Sequence, residues 1–310
     1  MDFLSVEGYD HLRDRLYIHW DITTMCNYDC SYCYAKKQYG KDWQKPGVWS
    51  KQLEIIEEIS KSTLPVFLGL LGGEPTMHQR YFTLLDILTE KILDNHPDNR
   101  IYITTNGSKS NEFFERHKNS DNRIYMLWSI HAEYMNEESF KTLFNNIQIM
   151  NKKGYKNKVN LMMHPAKKYW DFTKFMYIEL QKLDYLKIHP HFIYSGFDKD
   201  VKYSKDFYQF FNFLEKQRYK EFEFKTKNET FLFSDYEIFN NNLNQFKNWK
   251  CWHNNFEIRA NYKVSDQCFN RDGSEIPKDF FKNITEIKPK ICPYNFCSCD
   301  GLMKIHKEKQ

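Results

Sequence analysis

Between residues 16 and 194 the chain alternates short β-branched or aromatic runs with longer helical patterns, and this rhythm limits its fold more than any other feature. Strand-like runs fall at Tyr17–Ile22, Val66–Leu71, Arg100–Thr105, Ile124–Ile130, Lys158–Met163 and Leu186–Tyr194. Helical patterns lie between them near 49–61, 79–94, 109–118, 137–152 and 169–183, with another near 204–218. Parallel strands need long crossovers, so this order is the sequence form of βα units around a parallel sheet. Such folds bind ligands on loops leaving the carboxyl ends of their strands. Three motifs fall there: MCNYDCSYCYA after the first strand, Gly72-Gly73-Glu74-Pro75 after the second, and Thr104-Thr105-Asn106-Gly107 closing the third. Past about residue 220 the alternation stops and a cysteine-rich tail follows, which predicts domains at 1–219 and 220–310.

Cys26-x3-Cys30-x2-Cys33 supplies three thiolates where a closed zinc site or an ordinary iron–sulfur cluster takes four protein ligands. A tight triplet leaves one metal position open, and an open iron binds and activates something else. The chain has eight cysteines, and MDFLSVEGYD carries acids with no apolar run. Reduced thiols acting as ligands in the cytoplasm are therefore expected, rather than disulfides behind a secretory signal. The longest apolar stretch, Leu64 to Leu71, is too short to span a bilayer. Forty-five Lys and Arg against 41 Asp and Glu read as a salted surface, which argues against a nucleic-acid stripe.

With Tyr32 in the aromatic slot before the third cysteine, the pattern CxxxCxΦC resembles the signature of the radical SAM superfamily. The resemblance implies an α/β fold, a partial (βα)6 TIM-like barrel with a small cysteine-rich β-hairpin extension. It also implies that Cys26, Cys30 and Cys33 hold a [4Fe-4S] cluster whose open iron is chelated by S-adenosylmethionine. Gly72, Gly73, Glu74 and Pro75 resemble the family's GGEP motif, which receives the methionyl ammonium. Thr105 and Asn106 resemble its TNG turn, near the methionyl and ribose parts of the cofactor. Ser129 stands where relatives place a ribose contact. Lys141 is either a partner of the cofactor's carboxylate or a solvated helix lysine. His131, where many relatives carry Asp, either faces substrate or is a satisfied wall residue. By period two, Asn160, Met162 and His164 share one face, as do His189, His191 and Ile193. Asn160, His164 and His191 are thus substrate-cavity candidates, against ordinary interior packing.

In the tail, Cys251-x16-Cys268 brackets a hairpin pattern, NFEIRANYKVSDQ, and Cys292-x4-Cys297-x-Cys299 follows. This resembles the twitch or shortened SPASM extension and implies a second [4Fe-4S] cluster. Lys263 stands where that pattern has glycine, and the last spacing is not the common one. Four ligands suffice, so one of the five cysteines is spare or a substitute, and a structural zinc is the competing reading.

The resemblance implies an oxidoreductase. A flavodoxin-like or ferredoxin-like donor reduces the first cluster, S-adenosylmethionine is cleaved to a 5′-deoxyadenosyl radical, and that radical abstracts hydrogen from a small molecule or peptide. The auxiliary cluster takes the leftover electron. A barrel beginning near residue 16 leaves little room for a leader-recognising domain and tilts the expectation towards a small molecule. Two alternatives are a tRNA-modifying radical SAM enzyme and a non-catalytic metal-binding interaction protein. The second leaves the GGEP and TNG segments unexplained.

Overall fold

In a computed structural model the described residues are all except 1, 9–10, 34, 37–47, 121, 194–202, 213–221, 235–236, 239–240, 267, 271 and 298–303. A short strand β1 (Ser5–Gly8) precedes six strands, each followed by a helix: β2 (Leu16–Thr23) and α1 (Trp49–Ser60), β3 (Val66–Gly72) and α2 (Tyr81–Leu88), β4 (Arg100–Thr105) and α3 (Asn111–Glu115), β5 (Ile124–Ile130) and α4 (Glu137–Lys152), β6 (Lys156–Met163) and α5 (Trp170–Leu180), β7 (Lys187–Phe192) and α6 (Lys205–Phe210). Neighbours from β2 to β7 pair in parallel and in chain order, so the expected α/β architecture of six βα units is present. The sixth strand was expected to reach Tyr194, which lies outside the described residues, as does the end of the 204–218 pattern.

Alternation along each strand divides its side chains between two faces. In β5, Ile124, Met126, Trp128 and Ile130 are buried in the main core, whereas Tyr125, Leu127 and Ser129 turn to the other face. The helices cover the first face with Ile55, Ile56, Leu84, Leu143, Ile147 and Met176, all at or below 2% exposure. Each such side chain contributes about 1.5–3 kcal/mol relative to an exposed one.

The opposite, inner face carries the chemistry. Register partners on parallel strands share a face, so Leu127, Lys158 and Lys187 form one row. Ser129, Asn160 and His189 form the next row towards the carboxyl ends. At the amino ends Phe67 packs edge to face with Tyr17, Tyr102 and Tyr125, closing that side with aromatic rings.

The tail adds β8 (Phe222–Lys225), β9 (Thr230–Phe233), β10 (Lys250–Cys251), β11 (Asn255–Ile258), β12 (Lys263–Ser265), β13 (Ser274–Glu275), β14 (Lys290–Ile291) and β15 (Lys307–Glu308). The expected cut between 219 and 220 does not coincide with the two sheets. The β11–β12 hairpin forms as read, but β11 lies parallel to β2, from Asn255 opposite Tyr17 to Ile258 opposite Trp20. Conversely, β1 pairs with β8 and β15 in an antiparallel sheet ordered β14-β10-β15-β1-β8-β9. The physical reason is edge protection: β2 would otherwise present a row of unpaired backbone groups. Among the described residues no helix is long and apolar enough to cross a membrane.

Candidate active site at the carboxyl ends of the parallel strands

The three motifs are fastened to one another by their own backbones. Gly73 N donates to Thr23 O at 2.9 Å and Glu74 N to Met25 O at 2.7 Å, so the GGEP segment lies against the chain entering the cysteine loop. A Cβ on Gly72, whose φ is +125°, would stand 2.1 Å from Thr23 O, and one on Gly73 would stand 2.2 Å from Met25 O. The close approach that the two glycines permit is therefore made to this backbone.

Glu74, at 1% exposure, joins the same segment to the third motif. Its Oε1 accepts from Thr76 N at 3.0 Å, Thr76 Oγ1 at 2.6 Å and Thr105 Oγ1 at 2.7 Å, and its Oε2 accepts from Asn106 N at 2.6 Å. Burial raises the carboxyl above its ordinary range, and the hydrogen bonds from Asn106, Thr76 and Thr105 pull against that. Pro75 opens a single 3-10 turn, Pro75–Met77, that Glu74 caps. Asn106 Nδ2 donates to Asn27 Oδ1 at 3.0 Å, and Asn27 Nδ2 donates to Ser108 Oγ at 2.9 Å, which closes the circuit back to the cysteine loop.

Within that loop Cys30 is buried and Cys26 and Cys33 are half-buried. Burial lifts the Cys26 thiol to about 11, with Glu74 and Cys33 adding to the rise. Cys30 is lifted further by burial, then by Cys33, Glu133 and Cys26. Three soft donors that feel one another's charge in a partly desolvated loop fit a cationic iron cluster, which would hold them as thiolates. Among the described residues no three His, Cys, Asp or Glu side chains stand ready in metal-binding geometry, so the fit rests on donor chemistry and convergence.

A second set of contacts holds this loop from β5 and β6. Tyr32 Oη lies 2.8 Å from His131 Nδ1, and Cys30 Sγ lies 3.5 Å from the same nitrogen. Burial lowers His131 to about 4, against the pull of Glu133, so its ring is neutral. Ser31 N donates to Glu133 Oε2 at 3.0 Å, while His164 Nε2 stands 3.4 Å from Glu133 Oε1. Ala166 N donates to His164 Nδ1 at 3.0 Å, which leaves the proton on Nε2, facing the carboxylate. Burial also lowers the pKa of His164, although Glu133 raises it.

Glu133 was missed by the sequence reading, since one acid after the fourth strand matches no pattern. His164 was expected to share the inner face with Asn160 and Met162. However, β6 ends at Met163 and His164 N turns back to Met162 O at 3.0 Å, which swings the ring to Ser31 and Glu133. Met162 and Ile193 pack on Cys30 and Tyr32, with His191 in register beside Met162 and its ring centroid 5.8 Å from that of His189. Lys141 is exposed on α4.

The tail cysteines form a separate group. Cys251 and Ile305 form a small cluster against which Cys268 and Cys297 pack, and Cys292 joins Cys297 against the small core that holds Phe246. Burial raises Cys251 to about 11 and Cys268 to about 12, and the neighbouring thiols raise both. Cys292 N donates to Trp249 O at 2.8 Å, Cys297 N to Asn244 O at 2.9 Å, and Tyr294 Oη to Cys268 O at 2.7 Å. Cys299 lies outside the described residues. Left-handed backbone falls on Tyr262 (φ 65°), one residue before Lys263.

The structure thus sets three cysteine thiols on the loop after the first core strand of a parallel sheet of six βα units, the class of α/β fold in which ligands bind at the carboxyl ends of the strands. The family model described as the Radical SAM superfamily matches residues 20–176, half of the chain, and the chain belongs to that superfamily. Membership brings a [4Fe-4S] cluster and S-adenosylmethionine, for which Cys26, Cys30 and Cys33 fit. The fold resembles that of native anSMEcpe with bound AdoMet and Cp18Cys peptide, with a TM-score of 0.54, 14% identity and coverage of 86% of this chain and 78% of that one. It also resembles Streptococcus suis SuiB bound to precursor peptide SuiA, with a TM-score of 0.52, 13% identity and coverage of 90% and 66%. Both likenesses concern the fold alone. Two curated proteins named S-adenosylmethionine-dependent nucleotide dehydratase match a shorter stretch. One, from Fibrobacter sp. (strain UWH6), is 35% identical over 96 residues, 29% of this chain and 27% of that protein. The other, from Selenomonas ruminantium, is 29% identical over 91 residues, 29% and 30% of the two chains. The matched stretch is thus under a third of either relative's length.

Proposed function

We propose that this radical SAM enzyme abstracts a hydrogen atom from a phosphorylated small molecule, of the nucleotide class, held on the inner face of the parallel sheet. The observation that carries this reading is the pair of rows beneath the cysteine loop: Lys158 and Lys187 side by side, then Ser129, Asn160 and His189 one step nearer the loop. Two adjacent lysines answer a phosphate by charge, and the row above supplies hydrogen-bonding groups for a sugar or base. The name of the two curated relatives points to the same class of substrate.

When bound, the cluster and S-adenosylmethionine supply a 5′-deoxyadenosyl radical. The chain supplies position and exclusion of water. Cys26, Cys30 and Cys33 hold the iron, and Gly72 to Pro75, Thr105, Asn106 and Ser129 bound the space for the cofactor. Lys141 is a candidate for its carboxylate. Met162, Ile193 and Tyr32 pack on Cys30 and shield the loop. His131 and His191 border the substrate side, His131 as a neutral ring already engaged by Tyr32. A flavodoxin-like or ferredoxin-like protein is the proposed electron donor. Cys251, Cys268, Cys292 and Cys297 are the proposed ligands of a second [4Fe-4S] cluster, supported by their convergence, and this cluster would take or return the substrate electron.

The test is to offer reduced, reconstituted enzyme a panel of ribonucleoside triphosphates, and in parallel a cysteine-containing peptide, while following 5′-deoxyadenosine and product mass. A nucleotide that accelerates 5′-deoxyadenosine formation and is itself converted supports the reading, with KM raised in Lys158→Ala and Lys187→Ala. Acceleration by the peptide alone would overturn it.

A further inference from the structure

Among the described residues Lys307 is the one lysine or arginine that is fully buried, at 1% exposure. It lies on β15 directly opposite Cys251 on β10, and cross-strand partners present their side chains on the same face. Two contacts place its ammonium. Nζ donates to Ile305 O at 2.9 Å, and it lies 5.1 Å from the centroid of the Phe246 ring. Both residues belong to clusters that the tail cysteines join: Cys251 and Ile305 form one, with Cys268 and Cys297 packed against it, and Cys292 and Cys297 pack against the small core that includes Phe246. The charge of Lys307 is felt at Cys251 and His253. A buried ammonium is costly to desolvate, and a group of thiolates is the kind of neighbour that offsets it.

We propose that Lys307 is a built-in counter-cation of the tail centre, a positioning residue whose charge favours the reduced form of the cluster there and raises its reduction potential. This rests on reading the tail as an iron–sulfur site. Adding an electron makes a thiolate-ligated cluster more negative, and a fixed positive charge beside it stabilises that state.

The test uses the full chain with Cys26, Cys30 and Cys33 each replaced by Ala, so that only the tail contributes iron. In this background Lys307, Lys307→Met, Lys307→Gln and Lys307→Arg are compared by iron and sulfide content, circular dichroism and a redox titration followed by paramagnetic resonance. Both neutral variants are expected to titrate at lower potential, with at least a tenfold change in the reduced-to-oxidised ratio, ~59 mV for one electron. Arg is expected to restore most of the shift. Loss of the cluster from the folded neutral variants but not from Arg also supports a role for the charge. An unmoved midpoint with full iron in either neutral variant overturns it, as does loss of cluster in all three variants. A parent chain that holds zinc and no iron would sink the reading of the tail itself, an outcome that metal content separates from the others.

Discussion

Glu74→Gln tests whether the carboxylate binds the GGEP segment to the turn after β4. Gln keeps the size and can still accept from Thr76 and Thr105 through its oxygen, but it sets an NH2 against Asn106 N–H, now donating to Oε2 at 2.6 Å. A buried donor that loses its acceptor costs about 1–3 kcal/mol, which is roughly a 5- to 150-fold change in a local opening equilibrium. Hydrogen–deuterium exchange over the peptide spanning 104–107 reads that change at the Asn106 amide without depending on either metal centre. Protection there should fall by this factor in Gln and further in Ala. The pH dependence has a definite sign. Burial raises Glu74 above its ordinary 4.5, so the native state binds its proton more tightly than the unfolded chain does. Wild-type stability contributed by this group is full below about 4.5 and falls as pH rises through the raised value, whereas Gln has no such loss. The difference between wild type and the Gln variant therefore changes with pH through the raised value, which the Gln side chain cannot reproduce. Unchanged Asn106 exchange in both variants would refute the reasoning.

Three further outcomes follow from the same geometry. Gly73→Ala places a Cβ 2.2 Å from Met25 O, so iron held by Cys26, Cys30 and Cys33 should fall while tail iron stays, as read by iron quantitation and paramagnetic resonance. Glu133→Gln replaces the charged acceptor of Ser31 N with a neutral one, which weakens the hold on the cysteine loop by about 0.5–1.5 kcal/mol; iron should bleach to a chelator roughly two- to tenfold faster, and an unaltered rate would speak against the clamp. Cys251→Ala should lower iron from about eight to about four per chain if the tail holds a second [4Fe-4S] cluster, and should leave it unaltered if the tail holds zinc.

The βα order was legible because apolar runs of strand length alternate with helical patterns, and in β5 the helix-facing positions recur with period two, as Ile124, Met126, Trp128 and Ile130 do. The α4 helix falls at the expected 137–152, where Asn136 and Ser139 form a capping box and Glu137 and Glu138 fill the first turn. The placement of β1 and β11 was not legible, because which strand covers an open edge is decided by partners more than 200 residues away. A loop motif likewise shows which residues gather and not what each grips. The acid of GGEP was read towards the cofactor, whereas both of its oxygens accept from Thr76, Thr105 and Asn106. His164 shows where periodicity stops: one residue past the strand end, the backbone turned and the ring went to Glu133.

The central claim is that the Cys26, Cys30 and Cys33 loop holds a cluster with an iron open to S-adenosylmethionine. Its most direct test is the paramagnetic resonance spectrum of the anaerobically reduced chain, recorded with and without S-adenosylmethionine, in wild type and in Cys30→Ala. A reduced-cluster signal that changes on addition of S-adenosylmethionine, and is missing from Cys30→Ala, is the predicted result. A wild-type chain with its full iron content whose spectrum is identical with and without S-adenosylmethionine would contradict the account.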